Sequence, residues 1–151
     1  MRFSSSRRSG FTIVEVLVVL AVMAILMAIA IPSFSGVQAE AKMTRVQKDL
    51  LLLKIAIESY HRTYNRFPDE RNYQTILLST LPRVIESNLL DPFGENTASL
   101  YKYYLATSDP ETSKCYVIYS VGISGRGKAV VGNLGQVTAT DGPIWVSNGY
   151  I

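Results

Sequence analysis

GFTIVEVLVVLAVMAILMAIAIP, residues 10–32, is the stretch on which the fold turns. From residue 16 to residue 31 it carries no polar side chain, and back to Phe11 only Thr12 and Glu15 interrupt the apolar run. About 20 helical residues, each rising about 1.5 Å, cross the hydrocarbon layer of a bilayer. Residues 11–31 therefore have the length and composition of a membrane span. Ahead of them, residues 1–10 are short and polar, with Arg2, Arg7 and Arg8 and no acidic residue. That imbalance predicts a cytoplasmic N-terminus. It also explains a pI near 9.0. Of 15 Lys and Arg, taking away these three leaves 12, equal to the 12 Asp and Glu. The remainder is formally neutral, so no nucleic-acid partner is expected.

Four kinds of segment compete for this stretch. A secretory signal would use Ala28-Ile29-Ala30 as its small-residue cleavage site. A twin-arginine signal would use Ser6-Arg7-Arg8, although Phe11 then sits one place late. A plain single-span anchor and a prepilin leader complete the set. Glu15 discriminates among them, because an ionisable side chain in an apolar span costs about 2.5–3.5 kcal/mol or more and marks a functional position. Signals and plain anchors have no use for it. Gly10-Phe11-Thr12-Ile13-Val14-Glu15, the apolar run and Pro32 together resemble the processing motif of type IV pilins and type II secretion pseudopilins. The resemblance implies cleavage after Gly10 by a prepilin peptidase and N-methylation of the new amine at Phe11. It also implies that Glu15 and Pro32 serve assembly. Glu15 would pair with the Phe11 ammonium of a neighbouring subunit, so that neither charge is buried alone.

The helix is expected to continue beyond the span, to about Tyr64. Pro32 lacks an N–H and predicts a bend, with Ser33, Ser35 and Gly36 softening the same place. Met43, Val46, Leu50, Leu53, Ile57, Tyr60 and Tyr64 then recur every three or four residues as one apolar stripe. Glu40, Lys42, Arg45, Lys48, Asp49, Lys54, Glu58 and Arg62 are assigned to the other faces. The stripe needs a partner layer, and the β-type segments that follow supply it. Asn65-Arg66-Phe67-Pro68 is the stop.

A connection over residues 65–99 follows, with one short helix predicted over residues 73–78 and another over 84–90. Asp91-Pro92-Phe93-Gly94 is a turn signal. Strands are expected at residues 100–105, 115–121, 128–131, 136–140 and 144–146. On the second of these, Cys115, Val117, Tyr119 and Val121 are assigned to the core face against the helix. Arg66-Phe67-Pro68, Asp91-Pro92-Phe93-Gly94 with Tyr101 and Tyr103, and the strand ending Ser120-Val121-Gly122 resemble the major pseudopilin of type II secretion. That resemblance implies a calcium site in the loop after the strand. Here the loop is Ile123-Ser124-Gly125-Arg126-Gly127-Lys128, cationic and free of carboxylates, with Asp141 the nearest acid to be expected. A hard cation requires oxygen ligands and negative charge, so no metal site is expected.

Gly122 to Lys128 also matches the opening of a phosphate-binding loop. Ala129 stands where Ser or Thr would hold magnesium, and a strand is predicted where the helix should begin. His61 is the sole histidine and Cys115 the sole cysteine, which supports neither a zinc cluster nor an intrachain disulfide. No nucleophile is framed by a base. The sequence thus predicts a non-enzymatic, cofactor-free α+β chain. Its long bent N-terminal helix, half membrane-embedded and half amphipathic, packs on a small antiparallel β-sheet. The domains expected are a leader over residues 1–10, a transmembrane and assembly helix over 11–31, and a periplasmic pilin-like domain over 32–151. The partners implied are other pilins or pseudopilins in a helical filament, the prepilin peptidase and an inner-membrane assembly platform. The location would be the inner membrane before assembly and a periplasmic or extracellular filament after it. The alternative is a minor pilin-like protein that primes or tips a pilus for adhesion, motility or DNA uptake.

Overall fold

The computed structural model describes residues 11–149, without the side chains of residues 32–35. Gly10, with the expected leader, and the Pro32 side chain, with the bend assigned to it, lie outside the described residues. The chain divides into two compact units, Met1–Gln38 and Ala39–Ile151. A single helix, α1 (Ile13–Tyr64), contributes to both.

In the first unit α1 begins two residues later than the sequence suggests, because Thr12 caps it. The Thr12 hydroxyl accepts the Glu15 N–H at 3.2 Å, and its carbonyl accepts the Val16 N–H at 3.3 Å. Such a cap satisfies donors that the first turn leaves without intrahelical partners. At the other end of α1, Asn65 adopts a left-handed φ of 53°. Its N–H returns to the His61 carbonyl at 2.8 Å, closing the last turn.

In the second unit the predicted stripe is the core face of α1. Val46, Leu50, Leu53 and Ile57 are fully buried and Tyr60 nearly so. They pack with Phe67, Tyr73 and Leu77 against one face of a sheet, where Tyr103, Leu105, Tyr116 and Ile118 complete the cluster. The stripe ends sooner than its spacing suggests, since Tyr64 is 45% exposed. The first connecting helix is present as α2 (Tyr73–Ser79).

The second connecting helix, expected over residues 84–90, does not form. The buried Gln74 side chain grips this segment instead: its Nε2 donates to the Leu89 carbonyl at 3.0 Å. Its Oε1 accepts the Leu89 N–H at 2.7 Å. Leu90 then bridges Leu100, and Val84, Ile85 and Leu89 join the core from an irregular backbone. Tertiary hydrogen bonds have outcompeted a weak local preference.

All five strands are present. They are β1 (Lys102–Leu105), β2 (Tyr116–Ser120), β3 (Lys128–Val131), β4 (Val137–Thr140) and β5 (Ile144–Ser147). β1, β2 and β5 form an antiparallel sheet with β2 in the centre, while β3 and β4 form a separate antiparallel ribbon. This two-layer β arrangement corrects the face assigned to the second strand. Tyr116 and Ile118 face α1, in register with Leu105 and Tyr103. Val117 and Tyr119 face the other way and pack with Ala129 and Val131 of β3, with Cys115 at the edge of that cluster. β2 is buried on both faces, so its sequence lacks the alternation that identifies a core side.

Candidate assembly site

At the start of α1, Phe11 precedes the helix and is 79% exposed. Glu15 lies in the first turn, exposed, three residues after the Thr12 cap. Thr12 and Glu15 have the spacing of a capping box, in which an acid at the third helical position complements the cap. The acid also favours the positive end of the helix dipole. Thr12 was not singled out by the sequence, although the Thr-x-x-Glu spacing signals it. Beyond Glu15 the large apolar side chains of the span are 47–69% exposed. The helix is long and apolar enough to cross a membrane. Exposed apolar area on this scale calls for lipid or protein contact.

The outer side of α1 within the second unit is also more apolar than expected. Leu51, Leu52 and Ile55 are 55%, 41% and 47% exposed, opposite the buried stripe. Asp49, expected on a solvated face, is buried instead. It accepts a hydrogen bond from the Tyr101 hydroxyl at 2.9 Å and pairs with Arg45 at 3.5 Å. His61 stacks on Phe67 with centroids 4.3 Å apart, which gives it a packing role.

The Asp91-Pro92-Phe93-Gly94 turn is formed as predicted, the Gly94 N–H donating to the Asp91 carbonyl at 3.1 Å. Its acid does more than cap a turn. Asp91 is buried, and Oδ1 accepts the Phe93 N–H at 2.9 Å and the Ser120 hydroxyl at 2.7 Å. Oδ2 accepts the Val121 N–H at 3.0 Å. Two of the three motifs carrying the pseudopilin resemblance in this half, the Asp91 turn and the strand end at Ser120-Val121, therefore meet.

Beside them the β2–β3 loop lines a cleft of about 480 Å³ with Lys102, Arg126 and Lys128 set against Glu95 and Asp141. Three cations facing two carboxylates do not fit a calcium ion, which needs a shell of oxygen donors with net negative charge. The phosphate-loop likeness also dissolves, because Lys128 opens a strand and not a helix.

Residues 5–31 match the prokaryotic N-terminal methylation motif. Over 62 residues, 41% of this chain and 43% of the relative, the sequence is 34% identical to type II secretion system core protein G of Aeromonas hydrophila. Over 66 residues, 44% of this chain and 30% of the relative, it is 38% identical to type IV major pilin protein PilA of Myxococcus xanthus. A fimbrial protein of Pseudomonas aeruginosa is 40% identical over 52 residues, 34% of either chain. The chain thus spans less than half the length of each of these three relatives. No solved structure matches it. The chain carries the N-terminal methylation motif of prokaryotic pilins and is similar, over part of its length, to type II secretion core protein G and to type IV pilins.

Proposed function

We propose that the chain is a structural subunit of a type II secretion pseudopilus or a related type IV pilus-like filament, supporting protein secretion. Residues 1–10 are the leader, removed by a prepilin peptidase after Gly10, and the amine of Phe11 is then methylated. Residues 11–31 hold the subunit in the inner membrane with its N-terminus cytoplasmic, and residues 32–151 are the periplasmic pilin-like domain. On assembly the helices leave lipid for one another, the platform delivers the subunit, and Pro32 bends the helix to suit the filament. The chain is a building block and performs no catalysis of its own.

One observation carries this reading: Glu15 stands at the head of the apolar, exposed span that opens α1. In a lipid anchor that charge would gain no more than its place at the helix start, whereas a filament offers it the Phe11 ammonium of an adjacent copy. Pairing neutralises two charges that would be costly if buried separately.

The test is expression of the full chain with and without a prepilin peptidase, followed by intact-mass analysis and filament isolation. Cleavage to an N-methylated Phe11 only when the peptidase is present is expected. A new N-terminus after Ala30, or no processing in either case, overturns the proposal. Glu15→Gln separates the two roles of the acid, since Gln also suits a capping box but cannot neutralise an ammonium. The variant is expected to be inserted and cleaved normally and to fail in filament assembly. Wild-type assembly by Glu15→Gln would reduce Glu15 to a helix cap.

A further inference from the structure

The segment that imitates a phosphate loop, and that the pseudopilin resemblance would assign to calcium, has a different internal logic. We propose that Asp91 and Ser124 form a metal-free clasp that locks the β2–β3 loop against the β4–β5 turn, so that the loop keeps its shape without a divalent cation.

Three sets of contacts support the clasp. At its base, buried Asp91 holds the end of β2 through the Ser120 hydroxyl and the Val121 N–H. The Ser120 hydroxyl in turn accepts the Gly122 N–H at 3.2 Å. Across the top, the Ser124 hydroxyl donates to the Asp141 carbonyl at 2.7 Å, reaching the β4–β5 turn. The same oxygen accepts the Arg126 N–H at 3.2 Å. Within the loop, the Gly125 N–H returns to the Gly122 carbonyl at 3.0 Å and the Gly127 N–H to the Val121 carbonyl at 2.9 Å.

The glycine spacing follows from this packing. Gly122 has a φ of +70°, and a Cβ there would collide with the Gly142 carbonyl. A Cβ on Gly127 would run into the Val121 carbonyl and lie 2.8 Å from the Pro143 Cα. Gly125 supplies a second left-handed position, at +67°. The glycines therefore bring two backbones into contact, and no phosphate is needed to explain them.

The charges agree. A metal shell would draw on the loop's oxygens, but the Asp141 carbonyl and the Val121 carbonyl each already accept a hydrogen bond, which leaves less of their lone-pair capacity for a metal. Arg126, Lys128 and Lys102 place three positive charges on the same cleft, against the two carboxylates of Glu95 and Asp141. A divalent cation entering there meets a net positive balance and must compete with three cationic side chains for two carboxylates. The donor set and the hydrogen bonds of this loop carry the argument. The clasp is independent of whether the chain assembles, and its test reads stability and not filaments.

The experiment uses the full-length chain in detergent micelles. Thermal unfolding is followed in calcium chloride and in EDTA, alongside hydrogen exchange of the peptide covering residues 121–128. Wild type is expected to show the same midpoint in both solutions, to within about 1 °C. Ser124→Ala is expected to lower the midpoint by a few degrees and to speed exchange in that peptide, with no rescue by calcium. Ser124 is exposed, so this variant does not depend on survival of a disrupted core, as Asp91→Ala would. A calcium-induced rise in the midpoint of either protein overturns the proposal. So does a Ser124→Ala chain with unchanged midpoint and unchanged exchange.

Discussion

Asp49 and Asp91 are both buried in the second unit, and each is held by a hydroxyl from a distant part of the chain. Neither partnership is visible in local sequence. Asp49 falls among charged residues at the rim of the apolar stripe, and only the arrival of Tyr101 brings it under cover. Two neighbouring tyrosines make opposite predictions. The Tyr101 hydroxyl serves Asp49, whereas the buried Tyr103 hydroxyl has no hydrogen-bond partner among the described residues. Removing a partner from a buried carboxylate costs about 1–3 kcal/mol, whereas deleting an unsatisfied hydroxyl costs little and can stabilise. Tyr101→Phe should therefore lower the unfolding free energy from denaturant titration by that amount, while Tyr103→Phe should leave it unchanged or raise it. Equal losses in both variants would show that the rings, and not the hydroxyls, dominate.

At the scale of elements, α1 is amphipathic in a qualified sense. Its inner stripe was legible from the three-and-four spacing of Val46, Leu50, Leu53 and Ile57. Its outer side was not, because Leu51 and Leu52 fall inside the unbroken run Leu50 to Leu53 and Ile55 beside Ala56 and Ile57, where apolar residues on every face blur the stripe. The proposed filament would place another copy against this side. Ile55→Lys should change the stability of the isolated subunit by no more than about 0.5 kcal/mol, as usual for a surface site. The same variant should lower filament yield in sedimentation, and unchanged yield would remove this side from the interface. The segment over residues 84–90 and the faces of β2 depart from their local sequence pattern for one shared reason. Both depend on partners far away in sequence, Gln74 in the first case and the β3–β4 ribbon in the second.

At the scale of the whole molecule, the core of the second unit is rich in tyrosine. Burial pushes the hydroxyls of Tyr73, Tyr101, Tyr103 and Tyr116 well above the usual phenol range. Nearby carboxylates reinforce this, Asp49 at Tyr101 and Glu58 at Tyr116. The unfolded chain ionises these groups near pH 10, and the folded chain only at higher pH. Their contribution to stability is therefore complete below about pH 10 and is lost as pH rises beyond it, because ionisation favours the unfolded state. Alkaline titration should show phenolate absorbance of these residues appearing together with loss of helical circular dichroism. Ionisation of all tyrosines while the fold persists would contradict this.

The sequence by itself determined the features that depend on residues close together along the chain. These are the apolar span with Glu15 near its head, the helix stop after Tyr64, the turn at Asp91 and the approximate strand positions. Helix periodicity, turn chemistry and the cost of a charge in an apolar run are local properties, readable without a partner. Only the tertiary structure decided which face of β2 meets α1, that Gln74 replaces a second connecting helix, and that Asp91, Ser120 and Ser124 join separate loops. Those outcomes arise because a buried polar group must find a partner wherever the fold provides one. The distance between such partners, 29 residues for Ser120 and Asp91 and 52 for Tyr101 and Asp49, is beyond the reach of any local pattern.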